Sequence, residues 1–230
     1  MANFEKGIGL NADRLHKDIR EFNNAVIDVY CNFLNVFAEM TIGLREKWAS
    51  PDAKTKSHDW FIMFYDIKRK ISADGIVTID KVEDAAEMIA NSLGTSYERI
   101  GINIGMDYAE GKGPIGRIDL GDLSLEECLC LEAFPDGTVA MDVESVKVIL
   151  DLFNRNIEKI YTLIDAVPDR INIYDTNGDI QTGFSCRIKE LKEKIVEGVK
   201  TVNTELKSYM DQYIADLMSA KAKAESEIQN

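Results

Sequence analysis

Residues 15–44, LHKDIREFNNAVIDVYCNFLNVFAEMTIGL, contain the pattern that decides the fold. Apolar side chains recur here at steps of three and four, which places them on one face of an α-helix. They are Leu15, Ile19, Phe22, Val26, Val29, Phe33, Val36, Met40 and Leu44. Asn11 or Asp13 is the candidate N-cap, and Pro51 closes the segment. The pattern predicts a helix of about 35 residues, roughly 50 Å long at 1.5 Å per residue.

A second helix is predicted to follow after a short turn. The turn is residues 48–52, Trp-Ala-Ser-Pro-Asp, with Ser50 as a candidate N-cap and Pro51 at the first helical position. From there a helix is expected to run to about Ser72, because apolar residues again share one face. A short connection after a long helix usually folds the next helix back antiparallel to the first.

The C-terminal third repeats this plan. Asp142 is predicted to cap a third helix that stops at Pro168, and the polar residues 174–179 are predicted to form a turn. A last helix is then expected to carry a seam like that of a coiled coil. Its members are Phe184, Ile188, Leu191, Ile195, Val199, Val202, Leu206, Tyr209, Tyr213 and Leu217. Residues 22–30 and 153–161 share F-N-x-x-[VI]-x-x-[VI]-Y, which leaves open either a duplicated helical hairpin or two unrelated helices with the same spacing.

The middle of the chain is different in character. Residues 74–80 and 136–142 each read as an Asp-Gly turn, a short strand and a capping Asp, and the two strands could pair in a small sheet. The segment between them is rich in glycine and predicts loops with short strands. The predicted fold is therefore mainly α, with long antiparallel helices in a bundle and a small β and loop insertion. The expected segments are an N-terminal hairpin at 1–94, the insertion at 95–141, and a C-terminal hairpin at 142–230.

The charge of the chain excludes several classes of function. The chain has 40 acidic and 27 basic side chains and a net charge of −13. A dedicated nucleic-acid binder, or an electrostatic anchor on an anionic membrane, needs a basic face. Residues 73–166 hold 19 acidic and 7 basic side chains, so the acidic surface lies in the middle of the chain. It either keeps the protein soluble or docks a basic partner.

The N-terminus and the cysteines bear on the compartment. The first residues lack the apolar core of a Sec signal, and no run of about 18 apolar residues occurs. Of the four cysteines, Cys128 and Cys130 are close together, and all four are predicted to be structural free thiols. We therefore expect a cytoplasmic protein, or one exported without a Sec signal peptide.

The sequence predicts no catalytic, cofactor-binding or metal-binding residues, and hence no enzyme. His16 and His58 are the two histidines, and both are expected to be solvated. Residues 111–116 fit G-x-G-x-x-G, but Pro114 lies inside the motif and no helix start follows. Residues 175–179 resemble a calcium loop with the wrong spacing, which favours an ordinary Asx turn over weak calcium binding.

The aromatic residues near the first turn are the candidate interaction residues. They belong either to the core or, with Trp48 and Phe61 exposed, to an anchor for a partner. With the end of the last seam, the candidates are Trp48, Trp60, Phe61, Leu206, Tyr209 and Tyr213.

The arrangement of helix, tryptophan turn and helix resembles the WXG-type secreted helical hairpins of type VII secretion and their longer LXG-type relatives. The resemblance covers residues 12–72, with an echo in 142–226. Trp48-Ala49-Ser50 stands where the family has Trp-x-Gly, so Ser50 departs from the pattern. Tyr161 and Asp165 match the family's Tyr-x-x-x-Asp/Glu export signal, but inside a predicted helix. The resemblance implies a secreted or secretion-associated protein that pairs with other helical hairpins.

The function predicted is that of a non-enzymatic helical protein that binds a protein partner, or itself, through its helical seams. Nucleic acid and membrane are not expected as partners. One alternative is a membrane-acting helical-bundle toxin that inserts residues 25–44. A second alternative is an enzyme that uses the Gly-rich central insertion.

Overall fold

The computed structural model describes residues 9–45, 47–50, 52–101 and 139–228. The fold is mainly α, as predicted. The helices are α1 (Ala12–Arg45), α2 (Ala53–Ser92), α3 (Val143–Ala166) and α4 (Leu191–Ile228). The strands are β1 (Trp48–Ala49), β2 (Ala140–Met141), β3 (Arg170–Tyr174) and β4 (Ile180–Ser185). A 3₁₀ turn, Ile188–Glu190, precedes α4.

The predicted face of α1 is the face that it buries. Each of the nine apolar residues from Leu15 to Leu44 is at most 2% exposed. Asn11 is the N-cap, because its Oδ1 accepts the backbone N–H of Arg14 at 3.1 Å. Asp142 caps α3 in the same way, accepting the backbone N–H and the hydroxyl of Ser145.

The chain divides into two compact units, and each helix contributes residues to both. The first unit draws on Met1–Leu34, Ile67–Arg117 and Lys159–Lys192, and it contains the β3–β4 hairpin. The second unit draws on Asn35–Asp66, Ile118–Glu158 and Glu193–Asn230, and it contains the β1–β2 pair. The division into three consecutive segments stays a prediction.

The helices of the second unit run antiparallel to their neighbours. The ring centroids of Phe37 and Phe64 lie 4.7 Å apart, and those of Trp48 and Trp60 lie 6.1 Å apart, so α1 and α2 run in opposite directions. The side chains of Asn154 in α3 and Asn203 in α4 exchange hydrogen bonds of 2.9 and 3.0 Å. Each side-chain amide of this half-buried pair therefore donates one hydrogen bond to the other and accepts one from it.

The prediction of a turn and strand at residues 74–80 was wrong, because α2 continues through them to Ser92. Gly75 lies on the buried face of the helix, in line with Ile71, Ile79 and Val82. The hydroxyl of Thr78 donates to the carbonyl of Asp74 at 2.7 Å, a bond within the helix. Burial of this face outweighs the local preference of Asp-Gly for a turn.

The strand pairing was also predicted wrongly. Residues 140 and 141 do form a strand, but it pairs with β1, with Trp48 opposite Met141. The backbone N–H of Asp142 extends this ladder to the carbonyl of Lys47 at 2.9 Å. A partner from the α1–α2 connection therefore replaces the expected partner at residues 76–79.

The last helix begins later than its apolar spacing predicts. Phe184 lies in β4, and Ile188 lies in the 3₁₀ turn. The predicted turn at 174–179 joins the strands of a hairpin, and it is an Asx turn in which Asp175 Oδ1 accepts the backbone N–H groups of Asn177 and Asp179. Over a few residues, the alternation of a strand can resemble the three-and-four spacing of a helix, and this is why Phe184 and Ile188 were assigned to the helix.

The predicted Gly-rich insertion, the G-x-G-x-x-G motif, Cys128 and Cys130 fall largely or wholly on residues 102–138, which lie outside the described residues. The two described cysteines are free thiols, with Cys31 buried and Cys186 half-buried. Burial raises the pKa of the Cys186 thiol.

Candidate interaction site

The tryptophan turn forms an aromatic cluster, here called the tryptophan cluster: Trp48, Trp60 and Tyr209. Trp48 lies in β1 at the start of the α1–α2 connection, and the Trp48 ring centroid lies 6.1 Å from that of Trp60 and 5.1 Å from that of Tyr209. Both tryptophans are 2% exposed. The cluster therefore joins β1, α2 and α4 inside the second unit.

A carboxylate on α4 completes the polar side of the tryptophan cluster. The indole N–H of Trp60 donates to Glu205 Oε2 at 2.7 Å, and Lys56 Nζ lies 3.4 Å from Glu205 Oε1. The charge of Glu205 raises the pKa of Lys56, and the hydrogen bond that Lys56 Nζ donates to Glu205 Oε1 adds to this rise. Burial raises the pKa of the Tyr209 hydroxyl, and the charge of Asp52 adds to this effect. The indole N–H, which is costly to bury alone, thus has a charged acceptor.

Four of the six predicted interaction residues are core residues. Trp48, Trp60, Phe61 and Leu206 are between 0% and 8% exposed, so Trp48 and Phe61 do not form the exposed anchor considered from the sequence. The other two candidates, Tyr209 and Tyr213 on α4, are half-buried. A role of all six in binding a partner stays a prediction.

The C-terminal part of α4, which contains the candidate residue Tyr213, is largely exposed to solvent. From residue 211 to residue 227 the side chains are exposed, apart from half-buried Tyr213 and Ile214. This part, here called the α4 extension, is roughly 25 Å long at 1.5 Å per residue. The side chains of Leu217 and Met218 are 59% and 67% exposed. A large part of α4 is therefore in contact with solvent on most of its faces.

The apolar stripe of the α4 extension continues the buried seam of the same helix. Leu206 is 0% exposed and Met210 is 6% exposed, and Tyr213 and Leu217 follow at steps of three and four. The seam is therefore a continuous stripe that is buried in its first part and uncovered in its second. Spacing alone indicated Tyr213 and Leu217. Met218 was missed, since exposure cannot be read from spacing.

The described residues offer no group of three or more His, Cys, Asp or Glu side chains that could hold a metal ion. Asp175, the first acidic residue of the calcium-like loop, is used by backbone N–H groups of its own turn. Ser50, which stands where the resembled family has glycine, has a buried hydroxyl with no hydrogen-bond partner among the described residues.

Helix α1 is long and apolar enough to cross a membrane, by length and composition, and it is the one such helix among the described residues. However, 72% of its apolar window is buried inside the protein, as in the core helix of a folded protein. In this structure, α1 therefore packs as a core helix.

No family model, curated protein or solved structure matches the chain.

Proposed function

We propose that the protein is a non-enzymatic helical interaction protein and that it docks another amphipathic helix on the α4 extension. One observation carries this proposal: the apolar stripe of α4 runs on past its buried part, with Leu217 and Met218 exposed at 59% and 67%. The second helix comes from a partner protein or from a second copy of the chain.

The energetics of the α4 extension support a partner. Isolated helices of about 15 residues are only marginally stable in water, since most helical stability comes from packing of an apolar face. A second helix that covers Tyr213, Leu217 and Met218 adds that packing. Burying a large apolar side chain contributes about 1.5–3 kcal/mol relative to leaving it exposed. Two such side chains are enough to change an association constant by orders of magnitude.

The resemblance to WXG-type and LXG-type proteins fits this proposal. Proteins of that type pair with other helical hairpins, and the part of this chain that resembles them is residues 12–72, with Trp48 in the turn. We propose a place in the cytoplasm or export without a Sec signal peptide. Comparison of culture supernatant with cell pellet in the producing organism, with a cytoplasmic marker as leakage control, tests the location.

Docking is tested with two methionines that match in exposure. Met218 on the α4 extension and Met88 on α2 are both 67% exposed. We expect Met218→Glu to weaken self-association of the full chain at least about tenfold in sedimentation velocity, because a charge enters the covered stripe. Met88→Glu is the control, and it should leave association unchanged.

A partner other than a second copy is tested by site-specific photo-crosslinking in the producing cells. A crosslinker at Leu217 should capture one discrete helical protein, whereas a crosslinker at Val148, an equally apolar and 64% exposed position, should not. A chain that stays monomeric at all concentrations and gives no crosslink at Leu217 contradicts the proposal.

A further inference from the structure

A cavity of about 520 Å³ lies in the first unit, and none of its lining residues belongs to the α4 extension. Its volume is typical of sites for small molecules. Three segments form its walls: residues 9–16 at the start of α1, residues 90–98 at the end of α2, and Thr176 in the β3–β4 turn. The apolar part of the lining is Leu10, Ala12, Ala90 and Leu93.

Two residues of the cavity lining each have a covered polar atom that lacks a hydrogen-bond partner. His16 Nε2 and the Tyr97 hydroxyl are both shielded from solvent, and neither has a partner among the described residues. The two ring centroids lie 5.4 Å apart. His16 was predicted to be solvated, and that prediction was wrong, since its side chain is half-buried against Tyr97. Buried atoms of this kind are rare in native proteins, because each one loses its hydrogen bonds to water.

The segment that carries Tyr97 is held against α2 on its far side. The buried carboxylate of Glu83 accepts the backbone N–H of Ile100 at 2.9 Å. The Arg99 guanidinium pairs with Asp84, and it also lies 3.5 Å from Glu87 Oε2. These contacts anchor residues 99 and 100, whereas residues 93–96 are exposed. Charged contacts two and three residues further along the chain thus help to position Tyr97.

The opposite wall is anchored to the β3–β4 hairpin. The backbone N–H of Asn11 donates to the Tyr174 carbonyl at 2.9 Å. The Arg14 guanidinium lies 3.4 Å from the centroid of the Tyr174 ring, and Gln181 donates to the carbonyl of Gly9. The N-terminal end of α1, which carries His16, is therefore held in place by contacts that do not involve Tyr97.

The charges near the cavity favour a cation. Glu98 lines the cavity. Burial raises the pKa of Tyr97 to about 12, and the charge of Glu83 contributes to this rise. The hydroxyl therefore stays protonated at neutral pH, and its oxygen can accept a hydrogen bond. On the α2 side of the cavity, the carboxylates of Glu83, Asp84, Glu87 and Glu98 outnumber the one guanidinium, that of Arg99, so this side carries a net negative charge that repels anions.

We infer that this cavity binds a small amphipathic amine. Its apolar body lies against Leu10, Ala90 and Leu93, and its ammonium group donates to the Tyr97 oxygen and to His16 Nε2. Because both atoms are covered, the ammonium group reaches them by parting the two rings, through an outward movement of residues 95–97. The ligand thereby supplies the partners that the protein lacks.

The two histidines of the chain make a direct test, because His58 is an exposed histidine of the second unit and serves as the internal reference. The probes are 2-phenylethylamine and 3-phenylpropionate, which share an aromatic body and differ in charge. In NMR spectra of the full chain, we expect the amine to shift the His16 Cε1–H signal saturably, with a Kd on the order of 1 mM or below. The His58 signal should not move, and the carboxylate should bind at least about tenfold more weakly.

Variants separate the site from general surface binding. Tyr97→Phe removes one hydrogen-bond acceptor and should weaken binding of the amine at least about fivefold. Tyr65→Phe, at a half-buried tyrosine of the second unit, is the matched control and should have no effect. Equal binding of the amine and the carboxylate, equal shifts of His16 and His58, no saturable shift, or undiminished binding by a folded Tyr97→Phe variant would each overturn the inference.

Discussion

The tryptophan cluster and the His16–Tyr97 wall are both aromatic and polar, yet they differ in how their polar atoms are satisfied. In the tryptophan cluster the indole N–H of Trp60 has a carboxylate acceptor at 2.7 Å. In the wall of the cavity, His16 Nε2 and the Tyr97 hydroxyl have no partner among the described residues. The comparison teaches that a paired polar atom marks an aromatic residue as part of the core. An unpaired polar atom beside a cavity marks a candidate ligand site.

The largest expected effect is that of Trp48→Ala. Trp48 is 2% exposed and contacts Trp60 and Tyr209, so its loss should lower the free energy of unfolding by about 3–5 kcal/mol. Urea denaturation followed by circular dichroism measures this change. Tyr97→Ala, in the half-buried wall, should cost clearly less. Equal losses for the two variants would break the comparison.

A smaller effect is expected from the acceptor of the tryptophan cluster. Glu205→Ala leaves the indole N–H of Trp60 buried and unpaired, which should cost about 1–3 kcal/mol. Glu205→Gln should cost less, because the amide oxygen can still accept that hydrogen bond. The same denaturation experiment compares them, and a loss below about 0.5 kcal/mol for Glu205→Ala would show that the bond contributes little.

The hydroxyl of Tyr97 should behave in the opposite way. Tyr97→Phe removes a buried group without a partner, so the free energy of unfolding without ligand should be unchanged or higher by up to about 1 kcal/mol. A loss of more than about 1 kcal/mol would mean that the hydroxyl has a partner after all. This variant therefore sharpens the contrast with Glu205→Ala.

The smallest effect is a change in titration. Tyr97 has its pKa raised to about 12, chiefly by burial, whereas a tyrosine in the unfolded chain titrates near about 10. Its contribution to stability is therefore fully present below pH of about 10 and is lost as the pH rises toward about 12. Tyrosinate absorbance of the eight tyrosines should show a late fraction, to which Tyr97 and Tyr209 both contribute, and Tyr97→Phe should reduce that fraction.

Much of the helical fold was predictable, because its signals are local. The apolar face of α1 and the cap Asp142 were identified from residues within one or two helical turns, and Asn11 was one of two candidate caps. The continuation of α2 through Asp74 and Gly75 could not be predicted, because the burial of Ile79 and Val82 depends on helices distant in sequence.

The candidate site was predictable only in part. The seam of α4 could be followed to Leu217 from its spacing, but its division into a buried and an exposed part could not. The tryptophan turn was found as an aromatic cluster, and the structure then assigned Trp48 and Trp60 to the core. The cavity beside His16 had no signal in the sequence, since its walls come from three separate segments.

The sequence by itself determined that the chain forms long amphipathic helices, where two of them begin, and which of their faces are apolar. These properties depend on periodicity and on caps, which act within a few residues. The tertiary structure alone decided which strand pairs with β1, which part of the α4 seam stays uncovered, and that His16 and Tyr97 meet at a cavity. Such properties depend on which distant segments exclude water from each other, and spacing along a chain carries no information about that exclusion.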